Sequence, residues 1–496
     1  MEASSALTRE PAGSGEDEVS TEVEETRDER VVDEAGEEED KVDEGFKRTL
    51  SAVDRQYATQ VPEDRRIHIL GTGSIGKLVA HSLRGVANPP PVSLIFHRYR
   101  LLQAWEQSKK KITIRDGDYD VSRTGYDAEF FLPKRREHGV ELEEGTPSVY
   151  EYGDQMKPHE AAKALAEQQA REAASKDALS ELDSPAPDDN EPAPRGESRP
   201  HDGAYAVSDA PIHNLIVTTK ASRTIPALSD IRHRLSKNST ICFLQNGMGI
   251  LDDVSREIFP DPEERPTYVQ GIISHGVNSP SEANDPFYAI HAGYGTIALG
   301  VLPRSGPVTA TPPDKRWAPS ARYLIRTLTR VPVLCAVGFT PPELLQLQLE
   351  KLAVNSILNP LTVLLDARNG SILYNFALTR TMRLMLAEIS LVIRSLPELR
   401  GIPNVNLRFS PERLETLVVS VADKTRDNIS SMLADVREGR KTEVDYINGY
   451  IVKRGEELGI KCVVNYAIMQ TVAGKSQMVQ QARQAEVPLE VDVNRE

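Results

Sequence analysis

The chain has 496 residues, 39% of them hydrophobic, and a formal net charge of −15 at pH 7. That length calls for two or three folded units, and the acidic balance argues against nucleic acid or an anionic membrane as partner, because both need a basic surface. No stretch reaches the roughly 18 to 20 apolar residues of a membrane span, and Cys242, Cys335 and Cys462 sit in apolar runs without metal-ligand spacing, which predicts buried free thiols, a reducing compartment and no metal.

Residues 1–62 are rich in Glu, Asp and Ser without a packing period, so they predict a disordered acidic tail. The start is acidic and lacks an apolar signal core, so a cytoplasmic location is expected ahead of a mitochondrial one. Order is expected to begin at "RRIHILGTGSIGKLVAHSLRG", which reads as strand, tight turn and helix. "PVSLIFHR" is a second strand and "YRLLQAWEQSKKK" the helix after it, together a right-handed parallel unit. From about 134 to 206 the pattern stops and gives way to an alanine- and glutamate-rich run and a proline-rich charged run, read as a surface insertion.

The alternation then resumes with "IHNLIVTTK", "TIPALSDIRHRL" and "STICFLQNGMG". "TYVQGIISHGVNS", "FYAIHAG" and "GTIALG" read as further strands, the last two as an antiparallel hairpin, which makes the sheet mixed at that end. From about 338 onward the apolar residues recur three and four apart. The expected organisation is an α/β Rossmann-like domain over 63–335, an all-α domain over 336–485 and a flexible C-terminus over 486–496.

"GTGSIG" (Gly71, Thr72, Gly73, Ser74, Ile75, Gly76) follows a strand and opens a helix, the context in which the spacing of its glycines can hold a pyrophosphate. The second strand ends in "FHRYR" where an NAD site usually carries an acid, so Arg98, with Arg100 or His97 nearby, is expected to pair with a 2′-phosphate. The competing reading is an arginine that merely starts a surface helix. Ligands sit outside the carboxyl ends of such strands, which places Lys220 of "TTKAS" and Asn246 of "LQNGMG" at the same crevice.

Further along, "EKLAVNSILNPLTVLL" spaces Lys351, Asn355 and Asn359 four apart, a slanting polar stripe on an otherwise apolar helix. Buried polar groups need partners, supplied either by other side chains or by a ligand. "DNISSMLADVREGRKTEVDYINGY" carries Asn428 and Ser431, read as one helix ended by Gly439, and Glu443, expected in the first turn of the next helix with Thr442 and Asp445 as its cap. Simple helix capping also accounts for Glu443.

These segments, with "RNGSI", occur in the order found in ketopantoate reductases, members of the 6-phosphogluconate dehydrogenase-like superfamily, which the chain resembles over roughly residues 66–475 apart from the insertion. The resemblance implies NADPH-dependent reduction of 2-dehydropantoate to pantoate; reduction of another branched 2-keto acid, and a scaffold that senses NADPH without turnover, stay open as alternatives. It implies Lys351 as general acid and Asn246, Asn355, Asn359, Asn369, Asn428, Ser431 and Glu443 at substrate-contacting positions. It further implies that the glycine turn, Arg98, Lys220, Asn246 and Glu443 lie at the cofactor. The acidic tail and the insertion depart from compact members of that family, and the oligomeric state stays open, a homodimer included.

Overall fold

Parallel strands joined by helices bury both faces of a sheet, and the near-continuous apolar runs of this chain suit that arrangement. The computed structural model describes residues 65–130, 136–137, 140–141, 208–280, 285–304 and 317–485. The expected acidic tail, nearly all of the insertion and the C-terminal stretch lie outside the described residues.

An eight-stranded sheet is built around β1 (Ile67–Leu70). On one side of β1 lie β2 (Val92–Phe96) and β5 (Tyr126–Phe130), all parallel; on the other lie β8 (Asn214–Val217), β9 (Thr240–Phe243) and β10 (Thr267–Ile273), also parallel. Beyond β10, β13 (Ile297–Val301) runs antiparallel and β14 (Ala336–Gly338) pairs parallel with it. The sheet is therefore mixed at that end, as expected.

The expected hairpin between "FYAIHAG" and "GTIALG" does not form. The first of these is β12 (Tyr288–Gly293), which joins β11 (Gly276–Asn278), β3 (Ile112–Asp116) and β4 (Tyr119–Arg123) in a separate four-stranded sheet. "TYVQGIISHGVNS" is likewise two strands, β10 and β11, in different sheets. The break falls at His275, which is held by backbone: Gly295 donates to its Nδ1 at 3.1 Å, and its Nε2 lies 3.1 Å from the Leu334 carbonyl oxygen. Residues 136–137 and 140–141 form a short antiparallel ladder, β6 and β7.

Helices α1 (Ser74–Leu83), α2 (Tyr99–Gln107), α3 (Ala221–Asp230), α4 (Ile250–Glu257) and α5 (Pro319–Thr329) accompany the sheets. One core contains Trp105, Phe96 and Phe287, with the Trp105 and Phe287 rings edge-on at 4.7 Å; another is built on Phe243, Phe259 and Tyr268. The three expected buried thiols are two: Cys242 and Cys462 are buried, whereas Cys335 is exposed on a turn with φ of 42°.

After β14 the chain is helical, as expected. The helix α6 (Pro341–Leu365) starts at a capping box in which the Thr340 amide donates to Glu343 Oε2 at 3.0 Å, with Pro341 at its first position. Its apolar residues run all the way round, so it lies in the middle of the helical region. Around it pack α7 (Phe376–Ser395), α9 (Pro411–Lys424), α10 (Ser431–Arg437), α11 (Val444–Glu457) and α12 (Val463–Ala485), with the short α8 (Val405–Arg408) between α7 and α9. Among the described residues no helix is long and apolar enough to cross a membrane.

Candidate active site

The glycine turn has the shape a dinucleotide needs. Gly71 has φ of +109°, and a Cβ there would stand 2.7 Å from the Thr219 amide; a Cβ on Gly76 would stand 1.9 Å from the Gly71 carbonyl. A Cβ on Gly73 would meet nothing within 4 Å, so the turn opens onto free space at the point where a pyrophosphate would lie. No side chain caps α1. Ser74 bonds Ser279 Oγ at 2.9 Å and Ile75 packs against the sheet core, which leaves the opening of the helix to backbone amides. Lys77 mimics a phosphate-binding lysine in sequence, but its Nζ is buried and donates to the carbonyls of Pro286 and Tyr288 at 3.0 and 2.8 Å.

At the end of β2, Arg98 is exposed and stands at the N-cap of α2. His97 beside it is half-buried; burial first, then Arg98 and Arg223, hold its pKa below the ordinary histidine value. The positive charge at this strand end thus comes from two chain segments, the end of β2 and the first turn of α3.

Lys351 projects from α6 toward the ends of β9 and β10. Its Nζ donates to Asn246 Oδ1 at 2.9 Å and to the carbonyl oxygen of Ile273. Burial lowers its pKa to about 8, against a smaller upward pull from Glu443. The charge of Lys220 is neutralised locally. Its Nζ lies 2.7 Å from Asp435 Oδ2 and 3.6 Å from Glu443 Oε2. Burial pulls the Lys220 ammonium down, but Glu443 and then Asp435 outweigh it and leave its pKa raised.

Glu443 corrects the expected helix position. It is the N-cap residue of α11, not a residue of its first turn, and makes no side-chain cap to its own helix. Its buried Oε1 accepts instead from the Ala221 amide of α3 at 3.1 Å. The Thr442–Asp445 cap is not made either. Asn428 and Ser431 do not share a helix: Asn428 lies in the preceding loop, and Ser430 caps α10 by accepting from the Leu433 amide at 3.1 Å. Helix α10 ends at Arg437, and Gly439 follows with φ of +67°.

The stripe on α6 divides. Asn355 is half-buried and lines a small crevice with Lys351, Asn246, Gln245, Gln270 and Gln348. Asn359 is buried, and among the described residues neither Asn355 nor Asn359 has a side-chain hydrogen-bond partner. Asn369 sits apart on a short 3₁₀ turn, where its Nδ2 donates to Thr425 Oγ1 at 2.9 Å and its amide to the Asn428 carbonyl at 2.9 Å. Asn428 and Ser431 are exposed at the start of α10. Contacts therefore form two pairs, Lys351 with Asn246 and Lys220 with Glu443, linked through the upward pull of Glu443 on Lys351, whereas Asn369 touches only Asn428 of the other candidates, through its backbone.

Sequence reasoning missed three participants: the Ile273 carbonyl, the Ala221 amide and the Asp435 carboxylate. The first two are backbone groups, which no residue type betrays. Asp435 had a signal, an acid within the apolar run of α10, between Leu433 and Val436.

Comparison with known proteins follows the same lines. Residues 160–304 match the family described as Ketopantoate reductase PanE/ApbA, and residues 343–476 match Ketopantoate reductase PanE/ApbA C terminal, together more than half of the chain. A probable 2-dehydropantoate 2-reductase of Schizosaccharomyces pombe is 34% identical over 52% of this chain and 72% of its own length. Ketoisovalerate reductase BEA2 of Gibberella fujikuroi is 25% identical over 84% of this chain and 86% of its own. Among solved structures, a probable 2-dehydropantoate 2-reductase from Bacillus subtilis shares the fold with a TM-score of 0.50 at 22% identity, covering 83% of this chain and 99% of that one. A D-mandelate dehydrogenase with NADH and anilino(oxo)acetate shares it with a TM-score of 0.51 at 15% identity, covering 84% and 99%.

Proposed function

The chain belongs to the ketopantoate reductase family of oxidoreductases, and from that premise we propose that it reduces 2-dehydropantoate to (R)-pantoate with NADPH, a step toward pantothenate and coenzyme A. The observation that carries the reading is the setting of Lys351. An ammonium has three donors; two are taken by Asn246 Oδ1 and the Ile273 carbonyl, so the third has a fixed direction. With a pKa near 8, the group carries a proton at neutral pH and gives it up readily.

When bound, the reduced nicotinamide supplies the hydride that goes to the ketone carbon. Charge then builds on the ketone oxygen, where Lys351 both stabilises it and delivers a proton. Asn246 keeps the ammonium from rotating away. Asn355, Asn359, Asn428 and Ser431 offer neutral donors and acceptors for the substrate carboxylate and hydroxyl. Glu443 accepts the hydroxyl proton in a hydrogen bond, which favours a hydroxylated 2-keto acid. The open turn at Gly73 suits the pyrophosphate, and Arg98 suits the 2′-phosphate, hence the preference for NADPH over NADH.

A second reading, reduction of 2-ketoisovalerate, has one specific observation in its favour: the ketoisovalerate reductase relative aligns over 84% of this chain, against 52% for the Schizosaccharomyces pombe relative. The two substrates differ by the hydroxymethyl group that Glu443 would recognise. Purified protein incubated with NADPH and 2-dehydropantoate is expected to form pantoate, identified by mass and chirality. Absence of pantoate with intact protein and cofactor would refute the proposal.

A further inference from the structure

Lys220 stands between two buried carboxylates. Its Nζ is 2.7 Å from Asp435 Oδ2 and 3.6 Å from Glu443 Oε2, and the two acid side chains are only 3% and 6% exposed. Acids this buried need compensation, and the two receive it differently. Asp435 takes the short contact to Lys220 and, through Oδ1, a hydrogen bond from Arg440 Nε at 3.0 Å. Glu443 is anchored through Oε1 by the Ala221 amide at 3.1 Å, while its Oε2 lies outside hydrogen-bond reach of Lys220. One oxygen of Glu443 therefore keeps its acceptor capacity.

We infer that Asp435 is a positioning residue that holds the Lys220 ammonium off Glu443 and thereby keeps Glu443 Oε2 free for the hydroxyl of the substrate's side chain. The inference rests on the reading of the chain as a reductase of a hydroxylated 2-keto acid. Lysine is a point charge on a flexible stem. Without Asp435 its nearest counter-charge is Glu443 Oε2, and a small side-chain rotation brings the two into contact. That contact satisfies Oε2, and a hydroxylated substrate loses its advantage over one that ends in a plain isopropyl group. Arg440 bonds the other oxygen of Asp435 and does not decide where the Lys220 ammonium sits.

The test is the ratio of specificity constants for 2-dehydropantoate over 2-ketoisovalerate, measured with NADPH on the full-length protein. Asp435→Asn should lower the ratio about tenfold, the size expected when one hydrogen bond of discrimination is lost. Lys220→Met should keep the ratio while weakening the cofactor, and the double variant should recover it, because no ammonium remains to occupy Glu443. Arg440→Gln, which removes the other partner of Asp435, should leave it unchanged. A merely structural Asp435 would lower both constants by one factor and leave the ratio alone, and that result overturns the inference, as does a double variant no better than Asp435→Asn. If Asp435→Asn does not fold, Lys220→Met decides: a tenfold fall of the ratio there would make Lys220 itself the reader of the hydroxyl. Wild-type protein that reduces neither acid overturns the functional reading, and the inference with it.

Discussion

Asn448 donates its side-chain amide to the main-chain oxygen of Ser356 at 2.9 Å. The bond is there because of Pro360. A proline has no N–H to offer the carbonyl four residues earlier, yet α6 continues through Pro360 to Leu365. Asn448, fully buried on α11, fills the gap and ties the helix that follows Glu443 to the helix that carries Lys351. Pro360 thus has its missing bond replaced from a neighbouring helix.

Removing that donor should be costly. Asn448→Leu leaves the Ser356 carbonyl buried without a partner and should lower stability by about 1–3 kcal/mol, read as a lower midpoint in urea unfolding. An unchanged midpoint would mean that the carbonyl finds another donor at no cost.

Lys351→Ala should lower kcat by roughly 10²–10⁴, the usual contribution of a positioned general acid. NADPH affinity should change little, since the contacts of Lys351 run to Asn246 and Ile273 and not to the glycine turn. Near-normal turnover would remove Lys351 as the proton donor.

The pH profile follows from the same lysine. Lys351 must be protonated to act as an acid, and burial sets its pKa near 8. The rate should therefore be level below that pH and fall about tenfold per unit above it, with the break tracking a group lowered from the ordinary lysine value. A profile flat to pH 10 would place the proton elsewhere.

Arg98→Ala should weaken NADPH by about ten- to a hundredfold, the worth of one charge-assisted contact, and leave NADH almost unaffected. Equal losses for both cofactors would point to another reader of the phosphate. Arg223, which also acts on His97, would be the next to replace.

Much of the fold was legible where local pattern and final environment agree. The strand, turn and helix around Gly71 and the apolar helix around Lys351 are such places. The pattern misled where a tertiary contact decides. "TYVQGIISHGVNS" looks like one strand because nothing local shows that His275 is fixed by Gly295 and Leu334. The strands β3 and β4 went unread although Gly117, with φ of +58°, opens the two-residue Gly-Asp loop of their hairpin, a readable turn signal. In the site, Lys220, Asn246, Lys351 and Glu443 could be named from residue type and spacing. Their partners could not: Asp435 touches Lys220 in space but stands 215 residues away in the chain, and backbone groups carry no sequence mark. Glu443 was legible as an acid near a helix start, but its service to the Ala221 amide of another helix was not.

We propose above that this site reduces a hydroxylated 2-keto acid with NADPH. The most direct measurement is oxidation of NADPH by the purified full-length protein with 2-dehydropantoate and with 2-ketoisovalerate, side by side. Substrate-dependent oxidation is expected, with a specificity constant for 2-dehydropantoate at least about tenfold above that for 2-ketoisovalerate. Equal or greater activity with 2-ketoisovalerate would contradict it.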